Sequence, residues 1–189
     1  PVRRQPESRS DSGAACAYLP HPRLRREQPL TVLDATGGLG KDSFLMAGAG
    51  CTVHVLERNP VVAALLQDGL RRASEHTDTR EIAGRITFSA MDTIQYLRER
   101  AGTESRYDVI YLDPMYPARN KSALVKKEMQ MLQELIGHEP DPEQLLNTAL
   151  SAAGKRVVVK RPRTAPSLGD ILPSHNIKGK TTRFDVYMI

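Results

Sequence analysis

The stretch "LTVLDATGGLGKDSF", residues 30–44, decides the fold class of this chain. A short apolar run ends at Asp34, and Gly37, Gly38 and Gly40 precede a segment of small and apolar residues. Glycines in such a turn let the backbone adopt positive φ and approach a ligand, and the following helix N-terminus presents N–H groups. The stretch therefore predicts a strand, a glycine turn and a helix around a nucleoside-type ligand. For the glycines alone, a tight turn without a ligand is an equal alternative.

Strands and helices alternate along the rest of the chain. Strands are predicted at residues 30–35, 52–57, 85–90, 107–112 and 155–161, and a closing hairpin about Gly179 at 175–189. Helices are predicted at residues 59–73 and about 93–100, with two more between 122 and 152. This alternation predicts an α/β fold with a mainly parallel sheet, and the almost uninterrupted apolar strands predict helices on both faces. The hairpin is expected to add an antiparallel edge.

Length and composition predict one compact domain. The chain has 189 residues, of which 40% are hydrophobic, enough for a substantial core. Residues 1–29 are rich in Pro, Arg and Ser without a regular period, which predicts a loosely ordered arm or the remnant of a larger segment. Residues 30–189 are predicted to form the domain. The chain begins with Pro1 rather than Met, so we expect its N-terminal segment to be incomplete.

Charge and cysteine content narrow the class of protein. The net charge is +5 and the pI is about 9.4, which suits a polyanionic partner but also an ordinary solvated surface. Cys16 and Cys51 are the two cysteines, too few for a disulfide framework and without zinc-site spacing, so we expect no metal and a reducing, cytoplasmic setting. No apolar run approaches the roughly 18 residues of a membrane span, so no membrane partner is expected.

An acid after the second predicted strand narrows the ligand class. Glu57 lies 17 residues beyond Gly40, where an acid can accept both ribose hydroxyls of an adenosine; pairing with Arg58 is the alternative. Ser43 replaces the third glycine of the pyrophosphate fingerprint. Asp34 would repel a pyrophosphate but could hold the cationic amino-acid end of S-adenosylmethionine, directly or through water. The balance favours a methyl donor over NAD.

Asp92 follows the third predicted strand in "SAMDT". In this architecture its carboxylate would lie near the adenine and could accept from the exocyclic amine. Asp is also a favoured N-cap for the helix predicted to follow. The two roles are equally favoured by the sequence, and they do not exclude each other.

The segment "YLDPMYP", residues 111–117, ends the fourth predicted strand. Asp113 is expected beside the glycine turn, because parallel strands place their carboxyl ends at one edge. Pro114 stiffens the loop and Tyr116 offers a face for base stacking. The Asp113 carboxylate and a carbonyl of Pro114 or Met115 could bind the hydrogens of an exocyclic amine, so that catalysis is mostly positioning. An ordinary Pro-rich turn with a buried Tyr is the alternative.

These motifs together resemble a known family. "DPMYP" resembles the D/N-P-P-Y/F motif of amine-directed, class I S-adenosylmethionine-dependent methyltransferases. "LDATGGLGKDSF", "LERNPVVAALLQDGL", "KSALVKKEM" and "RVVVKRP" are similar to the RsmJ family of bacterial rRNA methyltransferases. Met115 departs from the broad motif, and residues before 30 do not match the longer N-terminal segment of such enzymes.

The resemblance implies a Rossmann-like, doubly wound, mainly parallel seven-stranded sheet with an antiparallel C-terminal strand. It implies S-adenosylmethionine as cofactor and methylation of the N2 amine of guanosine 1516 of 16S rRNA, as free rRNA or in the 30S subunit. The catalytic residues would be Asp113, Pro114 and Tyr116. The implied cofactor-binding residues are Asp34, Gly37, Gly38, Gly40, Asp42, Glu57, Arg58 and Asp113, to which the position of Asp92 adds one more.

Two basic clusters leave the carboxyl ends of predicted strands and are expected to bind RNA phosphates around a flipped guanosine. They consist of Lys121, Lys126 and Lys127, and of Lys160, Arg161 and Arg163. A solvated helix face is the alternative for the first cluster.

Other functions stay open at this point. A methyltransferase could act on adenine N6 or a protein side-chain amide, since the same acceptors serve any such amine. An NAD-dependent oxidoreductase lacks support because the third glycine is missing and no hydride-transfer acid or base is evident. A non-catalytic RNA-binding module would leave the cofactor motifs unexplained.

Overall fold

The structure, a computed structural model, describes residues 28–100, 107–114 and 141–189. The strands, numbered over these residues, are β1 (Thr31–Asp34), β2 (Thr52–Leu56), β3 (Ile86–Ser89), β4 (Val109–Leu112), β5 (Arg156–Pro162), β6 (His175–Lys178) and β7 (Thr182–Met188). The helices are α1 (Lys41–Gly48), α2 (Pro60–Glu75), α3 (Arg80–Ala83), α4 (Thr93–Glu99) and α5 (Pro142–Ala152).

In the described part of the chain, seven strands form one sheet in the order β3-β2-β1-β4-β5-β7-β6. The first five are parallel, whereas β7 runs antiparallel to both β5 and β6. The predicted α/β class and mainly parallel sheet are confirmed.

The C-terminal hairpin lies at one edge of the sheet and its last strand, β7, is antiparallel, as predicted. Within the hairpin, β7 is the inner strand, and the outermost strand on this side is β6, which runs in the same direction as the first five strands. The four consecutive residues 184–187 of β7 are buried, whereas β6 is mostly exposed. The apolar strand therefore takes the covered position and the polar strand tolerates the solvent-facing edge.

Helices cover both faces of the sheet, as the apolar strands predict. One core lies against α1 and α2 and includes Val32, Met46, Val53, Leu66, Tyr111 and Phe184. The other lies against α4 and α5 and includes Leu33, Leu97, Ile110, Leu146, Val159 and Tyr187. Neighbouring residues such as Val32 and Leu33 enter opposite cores because side chains alternate along a strand.

Local signals placed most helix starts correctly. The Asn59 side chain accepts from the backbone N–H groups of Val61 and Val62, and Pro60 occupies the first helical turn of α2. Asp141 caps α5 in the same way through Glu143. The four-residue α3 was not predicted, because so short a helix has no readable period. The first helix predicted between residues 122 and 152 lies outside the described residues.

The topology brings the ends of distant segments to one edge. β1, β2, β4 and β5 are parallel, so the residues at their carboxyl ends, Asp34, Glu57, Asp113 and Lys160, meet at the same edge. The helices in the described ranges are all too short or too polar to cross a membrane. The same ranges contain no cluster of three or more His, Cys, Asp or Glu residues that could hold a metal ion.

Candidate functional site

The three glycines of the turn have different physical roles. The Gly37 N–H donates to the Leu56 carbonyl at 2.9 Å, and a Cβ at Gly37 would lie 2.3 Å from Val55 Cγ1. Gly40 adopts φ +73° at the start of α1, where a Cβ would meet Leu66 at 2.5 Å. Gly38 adopts φ +52°, but a Cβ there would meet nothing within 4 Å. Gly37 and Gly40 thus serve close packing, and the open space lies over Gly38.

Glu57 closes the turn from the end of β2. Its Oε2 accepts the Gly38 N–H at 2.9 Å, and its Oε1 accepts the Asn59 N–H at 2.7 Å. The expected proximity of Glu57 to the glycine turn is confirmed, and both carboxylate oxygens bind backbone amides. Arg58 follows on the surface and is exposed. The ribose contact of Glu57 stays a prediction.

The hydrogen bonds of the turn distinguish between possible ligands. The N–H groups of Gly37, Gly38 and Gly40 donate to Leu56, Glu57 and Gly37, in that order. A pyrophosphate needs such N–H groups to be free, whereas these three are already bonded. A cationic, phosphate-free adenosine ligand does not need them, so the residues present fit S-adenosylmethionine better than NAD.

Asp34 is part of the interior rather than of the cleft surface. It is 1% exposed; its Oδ1 accepts the Thr36 N–H at 3.2 Å, and the Ser43 hydroxyl donates to its Oδ2. Burial raises the pKa of Asp34 to about 7, and the carboxylates of Asp42 and Asp113 add to the rise although the two hydrogen bonds oppose it. Asp34 therefore has no surface for the predicted direct cofactor contact and instead ties the turn to α1.

Lys160 joins the start of α1 to the segment that follows β4. Its Nζ lies 2.7 Å from Asp42 Oδ2 and 2.9 Å from Asp113 Oδ2, and the Tyr111 hydroxyl donates to Asp42 Oδ2 at 2.6 Å. Burial lowers the pKa of Lys160, but the carboxylates of Asp113 and Asp42 outweigh it and hold the pKa above its ordinary value. The expected role of Lys160 in binding RNA phosphates is not supported, because its ammonium group already lies between two carboxylates.

Asp113 faces the glycine turn, as its position after the fourth strand predicts. Its N–H donates to Thr36 Oγ1 at 2.6 Å, and the neighbouring Ala35 N–H donates to the Tyr111 carbonyl at 3.0 Å. The Asp113 side chain is 39% exposed. Burial raises its pKa and the ammonium of Lys160 opposes that rise. The carboxylate is thus accessible and is held beside the turn.

Arg161 does not reach the surface that its sequence position predicts. It is 3% exposed, and its Nη2 donates to the Pro166 carbonyl at 2.9 Å. Lys160 and Arg161 are neighbours in β5, so their side chains leave opposite faces of the sheet. The predicted phosphate contact of Arg161 is therefore wrong.

The remaining predicted residues have mixed outcomes. Asp92 caps α4, since its Oδ1 accepts the Gln95 N–H at 3.1 Å, and its adenine contact stays a prediction. Pro114 is buried directly after Asp113. Tyr116, Lys121, Lys126 and Lys127 lie outside the described residues.

Sequence reasoning missed residues that link the loops. Thr36 bonds both Asp34 and Asp113, and Tyr111 bonds Asp42. Ser43 was noted only as the missing third glycine, although its hydroxyl binds Asp34. A polar residue inside the glycine turn, as at Thr36, was the available signal. Nothing local marks Tyr111, which lies in an apolar strand.

This arrangement can be compared with known proteins. Residues 20–189 match the family described as "Putative SAM-dependent methyltransferase". The chain belongs to this family. The site geometry and the family agree on the cofactor, S-adenosylmethionine.

Two relatives carry the same name, Ribosomal RNA small subunit methyltransferase J. The one from Marinobacter nauticus is 48% identical over 161 residues, which are 85% of this chain and 57% of the relative. The one from Thioalkalivibrio sulfidiphilus is 52% identical over 165 residues, or 86% and 63% of the two chains. This chain thus spans about three fifths of the length of these relatives.

Solved structures agree with the fold. A SAM-dependent methyltransferase from Neisseria gonorrhoeae is 41% identical, with a TM-score of 0.68 over 83% of this chain and 64% of the other. The rRNA methyltransferase aviRa from Streptomyces viridochromogenes is 15% identical, with a TM-score of 0.56 over 88% and 79% of the two chains. The second likeness concerns the fold alone.

Proposed function

We propose that this chain methylates the exocyclic N2 amine of a guanosine in small-subunit rRNA, with S-adenosylmethionine as methyl donor. The observation that carries the proposal is the Asp113 carboxylate, which lies at the end of β4 beside the glycine turn and is held by Lys160. The names of the two relatives above support an rRNA substrate. The proposed setting is the cytoplasm, with 16S rRNA or the 30S subunit as partner.

Different residues around the turn would contact different parts of the cofactor. Glu57 and Gly38 would bind on the ribose side, Asp92 on the adenine side, and Arg58 at the rim beside Glu57. Asp42 and Asp113, with exposed fractions of 19% and 39%, supply the accessible negative charge that favours a cation. When bound, S-adenosylmethionine supplies an electrophilic methyl group on a positively charged sulfur.

Asp113 would act on the amine of the substrate. The nitrogen lone pair of an exocyclic amine is delocalised into the base, so the amine is a poor nucleophile. A carboxylate that accepts an amine hydrogen favours the pyramidal form and can take the proton that methylation releases. Lys160 contacts one Asp113 oxygen, and a carboxylate has about four acceptor positions, so capacity for the amine remains.

Lys160 would position Asp113 and keep it ionised. Its ammonium group contacts Asp42 at the start of α1 and Asp113 after β4, so one cation connects the cofactor side to the amine side. Such preorganised charge acts without rearrangement during the reaction.

Replacement of Asp113 tests the proposal. Asp113→Ala is expected to abolish transfer of a methyl group to a 16S rRNA fragment, measured by mass spectrometry, while S-adenosylmethionine affinity in calorimetry changes only severalfold. Asp78→Ala is the matched control and should retain activity, because Asp78 is an exposed carboxylate just before α3. Full activity of Asp113→Ala would refute the assignment.

Mapping the methylated nucleotide separates guanine N2 from adenine N6, and methyl transfer to protein alone would replace the RNA proposal.

A further inference from the structure

The tip of the β6–β7 hairpin carries exposed cations at the sheet edge where Asp113 lies. We define the hairpin-tip surface by Arg163, Lys178 and Lys180, all of which are exposed. β6 runs parallel to β5, and Lys178 is in register with Arg183, which is itself in register with Arg161. The turn after Lys178 therefore projects beyond the carboxyl ends of the parallel strands.

The lateral distance from Asp113 is short enough for one RNA strand to reach both places. β5 and β7 separate β4 from β6 in the strand order. Three strand spacings of about 4.8 Å give ~14 Å between the end of β4 and the end of β6. Nucleotides close to a base in the cleft would therefore pass the hairpin-tip surface.

Positive charge is concentrated in this part of the chain. Residues 155–189 contain eight Lys or Arg and two Asp, a net charge of +6, whereas the whole chain carries +5. The rest of the chain is thus close to neutral. Within this segment Lys155, Lys160 and Arg183 are paired with carboxylates. The positive potential that attracts a polyanion at the tip therefore comes from the exposed Arg163, Lys178 and Lys180.

The acids of this segment do not cancel the charge of the tip. Asp185 is 1% exposed, and both its oxygens bind the Arg183 guanidinium, at 2.9 and 3.0 Å. Asp170 is the other acid, and it lies next to Gly169, the residue that approaches Glu143 of α5. Neither carboxylate forms an ion pair with Arg163, Lys178 or Lys180.

Hydrogen bonds hold the tip in place. The Arg163 N–H donates to the Thr181 carbonyl at 3.0 Å, and the Gly179 N–H donates to the Thr182 carbonyl at 2.8 Å. Arg183 Nη1 donates to the Arg163 carbonyl at 3.2 Å. The residue after β5 is thus bonded to the hairpin, so the backbone positions of the three cations are fixed relative to one another.

We propose that the hairpin-tip surface binds the phosphate backbone of RNA next to the methylated nucleotide. The inference rests on the proposed function and deepens it, because Lys160 and Arg161 do not fill the phosphate-binding role that the sequence predicted for them. It keeps that role for Arg163, which follows β5, and adds Lys178 and Lys180 at the end of β6, two strands further along the sheet.

The double variant Lys178→Ala/Lys180→Ala tests the proposal. The probe is a fluorescently labelled 16S rRNA fragment, titrated with the full chain between 0.05 and 0.5 M salt, roughly the range over which counterion release is measurable. Two lost contacts to single-stranded RNA should reduce the slope of log affinity against log salt by about 1.4 and weaken binding about 25-fold at ~0.1 M salt. Lys178→Arg/Lys180→Arg should restore both values.

The matched control is Arg80→Ala/Arg98→Ala, which removes the same charge from exposed positions on α3 and α4. It should lower affinity far less. The proposal is overturned if Lys178→Ala/Lys180→Ala binds RNA as the unaltered chain does, or if the control loses as much affinity. Melting temperature and S-adenosylmethionine affinity should be unchanged in all variants. If the unaltered chain binds this RNA but never methylates it, the proposed function is contradicted, and the proposed RNA binding by the hairpin-tip surface is not.

Discussion

Among the residues that the structure describes, Lys160 supplies the cation that favours the ionised form of Asp113. Burial raises the pKa of this carboxyl and so favours the neutral form, which cannot accept an amine hydrogen with full charge. The ammonium group of Lys160, 2.9 Å away, works in the opposite direction. Asp42 shares that ammonium group, so a change at Lys160 affects both loops.

Lys160→Met should lower kcat and shift its pH dependence. Without the cation, the pKa of Asp113 rises further, so the carboxylate forms only at higher pH and the acid limb of the kcat profile moves upward. We expect a loss of roughly tenfold to a hundredfold in kcat at the acid end of the profile and a smaller loss at the alkaline end. Methyl transfer measured at saturating cofactor across the pH range checks the shift, and Lys160→Arg should restore part of the rate.

Lys155→Met is the matched control for that experiment. Lys155 precedes β5 at the opposite end of the parallel strands and pairs with Asp108 at 2.5 Å, so the same residue type is removed from a more exposed ion pair away from Asp113. Its pH profile should match that of the unaltered chain. A Lys160→Met profile that is lowered equally at every pH would show that the lysine does not govern the ionisation of Asp113.

At the scale of elements, the glycine turn combines packing and binding in four residues. Gly37 lies against β2, where the Leu56 carbonyl would be 2.9 Å from a Cβ and cannot move without breaking the sheet. Gly38 has a positive φ but open space around it. A side chain at Gly37 would therefore disturb the packing of the turn, whereas a side chain at Gly38 would fill the space open to a ligand.

Gly37→Ala should destabilise the fold more than Gly38→Ala does. We expect Gly37→Ala to lower the free energy of unfolding by about 3 kcal/mol through overpacking. Gly38→Ala should cost about 1 kcal/mol for its left-handed backbone conformation and weaken S-adenosylmethionine binding, because the added methyl enters the open space. Urea denaturation and calorimetry on both variants check this. Equal stability losses, or unchanged cofactor affinity in Gly38→Ala, would contradict the division of roles.

At the scale of the whole molecule, one sheet edge gathers the ends of β1, β2, β4 and β5, so a ligand bound there contacts loops that are far apart in sequence. Such a ligand binds the folded chain and not the unfolded one, and it must therefore raise the unfolding temperature. The turn disfavours a pyrophosphate because the N–H of Gly38 is bonded to Glu57.

S-adenosylmethionine should stabilise the chain, and NAD should not. At a ligand concentration 100 times its Kd, linkage contributes about 2.7 kcal/mol. For a chain of this size that corresponds to an increase in Tm of roughly 5–10 °C. Thermal unfolding with each compound measures the difference, and adenosine alone serves as a control for the shared part of the two ligands. A larger shift with NAD would contradict the cofactor assignment.

The sequence by itself determined the elements and the approximate position of the site. The caps Asn59 and Asp92, the apolar strands and the glycine turn are signals within a few residues, and the structure confirms the elements they predict. Glu57 and Asp113 were placed at the correct edge because parallel strands share it. Short-range chemistry and one topological rule were sufficient for these predictions.

Only the tertiary structure decided which charged side chains are buried, paired or exposed. Lys160 bonds residues 118 and 47 positions away, and Arg161, its neighbour, is buried on the opposite face. Asp34 ends a strand at the edge where the ligand is expected, yet the turn and α1 enclose it, and this burial raises its pKa to about 7. β7 lies between β5 and β6, although β6 comes first in the chain, because the buried residues of β7 need a neighbouring strand on each side. Each outcome depends on partners that are distant in sequence, and the packing of the whole sheet brings those partners together.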